Sequence, residues 1–352
     1  MNGVPALLSL PRDALAFPHA APPEAGTTRE VAPGVHWLRM PLPFALDHIN
    51  LWLLADGGGW TIVDSGYGRS EATREAWERI FATCLGGRPV TRVIVTHFHP
   101  DHIGLAGWLC ERFGAALWMT QAEWLTAHLA RHDWSAADIA KRVAHYRKNG
   151  LPPETVAALA QRGNLYALSV TPVPATYRRI MAGDDVVIGG RPWRIIIGQG
   201  HAPEHACLLS RELGVLISGD QVLPKITTNV SVWPDQPDGD PLKLYLDSLE
   251  RFRPLPEDTF VLPSHGLPFR GLHLRVEQLA EHHEERLART VEACATPRSG
   301  AEIIPVLFRR QLDLQQLSFA IGESLAHLHC LVGRGALKRE LGPDQVYRFV
   351  KA

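Results

Sequence analysis

Thr96-His97-Phe98-His99-Pro100-Asp101-His102 places three histidines and an aspartate within six residues. The run that leads into it, Val90–Thr96 (VTRVIVT), is apolar and β-branched and reads as a buried strand. Imidazole and carboxylate suit zinc and related transition ions, and a zinc ion takes about four ligands. A turn this crowded can face two ions, with His97 and His99 toward one and Asp101 and His102 toward the other. The same setting recurs downstream. His201 follows the strand Trp193–Ile197 across Gly198-Gln199-Gly200, Asp220 follows Val215–Ser218 across Gly219, and His265 follows Phe260–Leu262 across Pro263-Ser264. Four apolar strands thus end in short turns that deliver ligand-type side chains, and the carboxyl ends of strands are where sites assemble in α/β sheets. A surface loop rich in His and Asp by chance would scatter these residues instead.

Outward from this cluster, the chain reads as layered α/β. Strands are predicted at Val35–Met40, Ile49–Ala55 and Trp60–Asp64. The last two are joined by Asp56-Gly57-Gly58-Gly59, a hairpin turn with no lysine spaced as in a phosphate loop. Helical spacing covers Ser70–Phe81 and His102–Phe113, with a strand at Ala116–Thr120. From residue 121 to about 165 the pattern is helical throughout and reads as an insertion carried on the sheet, of the kind that often forms a lid. Strands return at Val186–Ile188, Arg194–Ile197, Ala206–Ser210 and Val215–Ser218. A helix at Pro241–Phe252 and a strand at Thr259–Leu262 follow. The expected organisation is an N-terminal arm (residues 1–28, rich in Pro and Ala), a layered α/β domain (29–272) and a C-terminal unit (273–352). The last comprises a helix from Leu272 to Cys294, further helices, and a hairpin of Ala336–Leu341 and Gln345–Phe349, the outline of a winged helix.

Composition narrows the partners. The chain has 352 residues, and 36 Lys+Arg against 37 Asp+Glu leave a formal charge of -1, which argues against a basic nucleic-acid stripe. No cationic, apolar leader opens the sequence and no apolar run approaches 18 residues, so a cytoplasmic protein without a membrane span is expected. Cys84, Cys110, Cys207, Cys294 and Cys330 are odd in number and form no CxxC, and read as reduced thiols.

The HxHxDH run, a third histidine, an aspartate and a last histidine resemble the metallo-β-lactamase superfamily over roughly residues 30–272. Weaker marks are INLWLL, WTIVDSG and GHAPEH in place of the usual GHTPGH. The resemblance implies a four-layer αββα sandwich. One divalent metal ion would be held by His97, His99 and His201, the other by Asp101, His102 and His265, with Asp220 bridging. Zinc is the default, and iron or manganese suits the same ligands. This set resembles the dinuclear branches such as glyoxalase II, the lactonases and the RNA-processing nucleases, whereas true β-lactamases usually place a cysteine near the position of Asp220. Glu204 replaces the glycine common in the third-histidine loop. His205 beside it reads as structural, and Asp64 and Thr96 are candidates to hydrogen-bond the ligands.

Such a centre implies attack by a bridging hydroxide, with Asp101 orienting it and carrying a proton. The favoured substrate is a small acyl compound, an ester, thioester or lactone, with Trp124, Trp134, Ile139 and Val143 of the insertion as candidate pocket walls. Those four equally suit packing of the insertion onto the body. Lys225, in the segment before ITTNVSVW, reads as a solvated lysine or an anion contact. A nuclease is the alternative. Against it, residues 273–352 carry eleven basic and ten acidic residues, a poor phosphate-binding balance. A non-catalytic metal protein would be favoured by a lost ligand, and none is lost.

Overall fold

In the computed structural model, which describes residues 14–352, strand alternation sorts apolar side chains into three separate cores. The first sheet runs in order β1 (Arg29–Ala32), β2 (Val35–Pro41), β3 (His48–Asp56), β4 (Gly59–Val63), β5 (Val90–Ile94), β6 (Ala116–Met119) and β7 (Arg178–Arg179). Its first four strands are antiparallel and its last three add in parallel. The second sheet has the order β12 (Phe260–Pro263), β11 (Val215–Gly219), β10 (His205–Ser210), β9 (Arg191–Gly198) and β8 (Asp185–Ile188), antiparallel except for the β11–β12 pair.

Successive strand residues point to opposite faces. On one face of the first sheet, Trp37, Trp52, Leu54, Val63 and Ile94 meet Trp193, Ile195, Leu208, Ile217 and Leu262 of the second. On the other face, Leu38, Met40, Leu51, Ile62 and Val93 pack under α1 (Glu71–Thr83) and α3 (Ala106–Phe113). The outward residues of the second sheet, Cys207, Leu209, Leu216 and Val261, pack under α8 (Pro241–Leu249) and α9 (Leu272–Ala293). This is the αββα layering the resemblance implies. Each fully buried Val, Leu or Ile contributes about 1.5–3 kcal/mol, so a one-residue slip that turned a strand over would be costly.

The C-terminal helices α10 (Gly300–Leu307) and α11 (Leu314–Gly333) lie in the same apolar cluster as α8 and α9, with the hairpin of β13 (Leu337–Leu341) and β14 (Tyr347–Lys351) at their edge. The insertion forms four helices, α4 (Gln121–Arg131), α5 (Ala136–Lys148), α6 (Pro153–Gln161) and α7 (Leu165–Ser169). Ala127 and Trp124 of α4 pack on the first half of the body, while Val156 and Leu159 of α6 join the core of α11. The hairpin turn lies as expected at Gly57-Gly58, with Asp56 paired to Gly59.

One expected helix is broken. His102–Phe113 divides into α2 (Pro100–Ile103) and α3, because Gly104 lies against the main chain of Gly66 and Gly68, where a Cβ would fall 2.3–2.5 Å from backbone atoms. Leu105 N–H bonds Gly66 O instead, and Gly104 O accepts from Thr171. The expected arm at 1–28 lies outside the described residues for its first thirteen, and Ala16 pairs with Arg270. All five cysteines are free thiols, four of them buried. Among the described residues, no helix is long and apolar enough to cross a membrane.

Candidate metal centre

The carboxyl ends of β5, β9, β11 and β12 meet at one edge of the sandwich. The sheets are stitched there by Ala206 N–H to Thr96 O (2.8 Å) and Asn50 N–H to Ser264 O (2.7 Å). The turns after these strands bring all seven ligand-type residues together. Three groups have ligand atoms within 4.8 Å of one another: His97, His99 and His201; His97, His102 and Asp220; and Asp101, His102 and His265. His97 Nε2 lies 3.0 Å from His99 Nδ1 and 3.2 Å from His201 Nε2. Tetrahedral ligands about 2.1 Å from a metal ion stand about 3.4 Å apart, so these separations fit a shared ion.

Asp220 faces both halves. Its Oδ2 is 3.5 Å from His201 Nε2, and its Oδ1 is 3.5 Å from His102 Nε2 and 3.4 Å from His265 Nε2. Asp101 Oδ2 completes the second group, 3.5 Å from His265 Nε2 and 3.8 Å from His102 Nε2. His102 Nε2 and Asp220 Oδ1 are buried with no hydrogen-bond partner. Buried polar atoms are rarely left so, because each costs about 1–3 kcal/mol. A cation between them satisfies both.

Four of the five rings are turned by their other nitrogen, which fixes the tautomer. His102 Nδ1 donates to Asp64 Oδ2 (2.7 Å), His201 Nδ1 to Asn229 O (2.6 Å), His265 Nδ1 to His48 O (2.8 Å), and His97 Nδ1 to Thr96 Oγ1 (3.0 Å). The Thr96 hydroxyl passes its own hydrogen to Asp64 Oδ2 (2.8 Å), and Thr96 N–H bonds Asp64 Oδ1 (2.7 Å). Asp64 adopts φ +62°, a left-handed conformation uncommon for a side-chain-bearing residue. The three bonds its carboxylate accepts offset that cost.

The charge pattern fits cations. Burial opposes charge on His102, yet Asp220, Asp64 and Asp101 together raise its pKa well above the ordinary value. His265 behaves alike and is raised to about 10, with Asp220 and Asp101 overcoming burial. His97 and His99 go the other way, lowered by burial and by neighbouring imidazoles, and so present neutral lone pairs.

Three positioning residues carry no obvious sequence signal. Buried Glu123 on α4 accepts Phe98 N–H (2.9 Å) and Glu204 N–H (2.6 Å), clasping the two histidine-bearing turns. Tyr166 of α7 donates to Phe98 O (2.6 Å). His48 accepts Gly266 N–H at Nε2 (2.9 Å) while its carbonyl holds His265. His205 is fully buried, and its Nε2 accepts Asp220 N–H (3.0 Å). Burial first, then His201, lower its pKa to about 3, so it is an uncharged structural ring. Gly219 (φ +54°) must be glycine, since a Cβ there would sit 2.4 Å from that ring.

Of the four candidate pocket walls, Trp124 and Val143 pack the insertion onto the body, Trp134 meets Arg142 of the insertion itself, and half-buried Ile139 joins none of the three cores. Trp124 stacks on Tyr177 (4.6 Å) and donates to Pro174 O, Arg142 covers Trp134 (4.1 Å), and Val143 joins the α11 core. Lys225 is exposed, with Nζ 5.9 Å from the Phe17 ring. Cys207 Sγ contacts Ser218 O, outside the ligand groups.

Comparison with known proteins agrees with this architecture. The family described as Metallo-beta-lactamase superfamily matches residues 45–265, and one described as Metallo-beta-lactamase-like, C-terminal domain matches residues 287–352. A beta-lactamase domain protein from Burkholderia ambifaria is 51% identical with a TM-score of 0.90, covering 96% of this chain and 98% of its own. The Bacillus subtilis protein named Probable metallo-hydrolase YqjP is 25% identical over 88% of this chain and 96% of its own length. The Atrochrysone carboxyl ACP thioesterase of Aspergillus fumigatus is 23% identical over 77% of this chain and 71% of its own.

Proposed function

Because this chain belongs to the metallo-beta-lactamase superfamily and is a metal-dependent hydrolase, we propose that it holds two divalent ions, zinc by default, and cleaves an ester, thioester or lactone of a small acyl substrate. What carries the two-ion reading is Asp220, whose two carboxylate oxygens face different ligand groups. His97, His99 and His201 would hold one ion, and Asp101, His102 and His265 the other. Such ions, when bound, supply hydroxide near neutral pH and polarise a carbonyl oxygen.

The protein's own groups supply the rest. Asp101 is the more open of the two ligand carboxylates, with its side chain 21% exposed against 10% for Asp220. Burial pushes its pKa up, but His102 and His265 outweigh that and hold it at about 2. It is therefore ionised at working pH. With Oδ2 turned to His265 and His102, Oδ1 is left to hydrogen-bond the attacking water and orient it. Carbonyl chemistry is supported by the resemblance to a protein named as an ACP thioesterase.

The test is a substrate panel. Metal-loaded protein is offered acyl thioesters, lactones, carboxylic esters, phosphodiesters and single-stranded RNA, with His97→Ala as control. Thioester, ester or lactone turnover that vanishes in the variant is expected. RNA cleavage without acyl turnover would overturn the substrate class, and one ion per chain or fewer after full reconstitution would overturn the two-ion reading.

A further inference from the structure

The segment Thr228–Val232 lies between the metal centre and the C-terminal helix α11 and touches both. On one side, the Thr228 hydroxyl donates to Asp220 O, and Asn229 O accepts the His201 Nδ1 hydrogen at 2.6 Å. On the other, Asn229 Nδ2 donates to Glu323 Oε2 (3.2 Å), and Val232 N–H bonds Gly322 O (3.0 Å). Ser231 Oγ donates to Asn229 Oδ1 (2.8 Å), which fixes the amide with its nitrogen toward Glu323. Helix and segment touch closely: a Cβ on Gly322 would fall 2.7 Å from Ser231 Cβ.

Glu323 is itself rigidly held. It is 6% exposed, its Oε1 pairs with Arg286 of α9, and its carbonyl accepts from His327 Nδ1 (2.8 Å). A carboxylate this buried is expensive unless it is paired. Here both oxygens are used, one for the guanidinium and one for Asn229. A continuous path of hydrogen bonds therefore runs from Arg286 through Glu323 and Asn229 to the ring of His201.

We propose that Glu323 is a positioning residue for the metal centre: through Asn229 it sets the carbonyl that orients His201, so that the C-terminal unit completes the His97/His99/His201 ligand group. The inference rests on the reading of His201 as a metal ligand. Groups that orient a ligating imidazole change metal affinity by about 10–100-fold, and the effect should be confined to the ion that His201 binds.

The experiment titrates metal-free, full-length protein with Co(II) alone, following its absorption spectrum, and with Zn(II) against a chromophoric chelator. His201→Ala identifies the His201-dependent ion. Asn229→Ala and Glu323→Gln are each expected to weaken that ion at least ~10-fold, with the other ion's affinity unchanged. In Glu323→Gln, Arg286 retains the amide oxygen, so the amide nitrogen opposes Asn229 Nδ2, donor against donor. Asn229→Asp in the same chain restores an acceptor, and the double variant should recover most of the lost affinity. A merely structural contact would lower the melting temperature without this selectivity or recovery.

Wild-type affinity for both ions in folded single variants would overturn the proposal, as would equal weakening of both ions. If Glu323→Gln does not fold, Asn229→Ala decides, since it leaves the Glu323–Arg286 pair intact. If only one ion binds in all and His201→Ala removes it, the two-ion reading falls while Asn229→Ala still tests this path. If no ion responds to His201→Ala, the proposal falls. None of these outcomes depends on the substrate.

Discussion

Removing the Glu123 carboxylate should loosen both histidine-bearing turns at once. Its oxygens accept from Phe98 N–H at 2.9 Å and Glu204 N–H at 2.6 Å, and the side chain is fully buried. Glu123→Ala orphans two main-chain donors at about 1–3 kcal/mol each, so a loss of about 2–6 kcal/mol is expected. Glu123→Gln keeps the volume but presents an NH2 to one donor, for a loss of about 1–3 kcal/mol. Urea denaturation of the three proteins measures both. The pH dependence is a second signature. Burial pushes the Glu123 pKa up to about 8, against the two N–H donors that lower it. An unfolded glutamate titrates near 4.3, so between about pH 5 and 8 the folded state holds a proton that the unfolded state has lost. Stability must then fall as pH rises through that window, by up to about 1.4 kcal/mol per unit from this group. Glu123→Gln cannot titrate, so the difference between wild type and variant should carry this slope while other titrations cancel. A cost below about 1 kcal/mol for Glu123→Ala, or a pH-independent difference between wild type and Glu123→Gln, would refute the reasoning.

Two further substitutions probe the supports of the ligands. Asp64→Asn keeps a residue type that tolerates φ +62° but removes the charge facing His102 Nδ1 and Thr96. Metal affinity should fall about 10–100-fold with the fold retained, read by Zn(II) titration and circular dichroism. Gly219→Ala and Gly57→Ala form a matched pair, at φ +54° and +60°. Both incur the left-handed conformation, roughly 1–2 kcal/mol. Only at Gly219 does the new methyl meet the His205 ring, because nothing lies within 4 Å of a Cβ at Gly57. The Gly219 variant should therefore be the less stable of the two by urea denaturation, and equal stabilities would show that the ring moves aside freely.

What sequence reveals here follows from what side chains must do. Strands β10, β11 and β12 of the second sheet each separate two cores, so alternate residues are apolar for different reasons and these strands announce themselves. Ligand-type residues at strand ends are equally visible, because imidazole and carboxylate have few other reasons to cluster after apolar runs. Edge strands lack that signature. Arg29–Ala32 is exposed or half-buried throughout and Arg178–Arg179 is exposed, and neither was predicted. The break at Gly104 was missed because it depends on the main chain of Gly66 and Gly68, some 36 residues upstream. Glu123 grips main-chain N–H groups and Asn229 meets His201 through its own carbonyl, and every residue type carries such atoms.

Histidine shows why residue type alone does not identify a site. His205, His283, His145 and His327 are as buried as the ligands, yet burial lowers their pKa values to about 3, 2, 4 and 4. There the ring is a rigid, uncharged hydrogen-bonding plate: His205 Nε2 receives Asp220 N–H, and His283 Nδ1 meets His327 Nε2 at 3.3 Å. His102 and His265 are equally enclosed but shift upward, because Asp220 and Asp101 face their free nitrogens. For these two rings the difference lies in the carboxylates they are turned toward, and the turning is done by Asp64 for His102 and by the His48 carbonyl for His265, whereas His97 and His99 shift downward as the structural rings do. Two of the acceptors that orient these clustered rings, the carbonyls of His48 and Asn229, are main-chain oxygens placed by distant segments, which no residue type in the sequence announces.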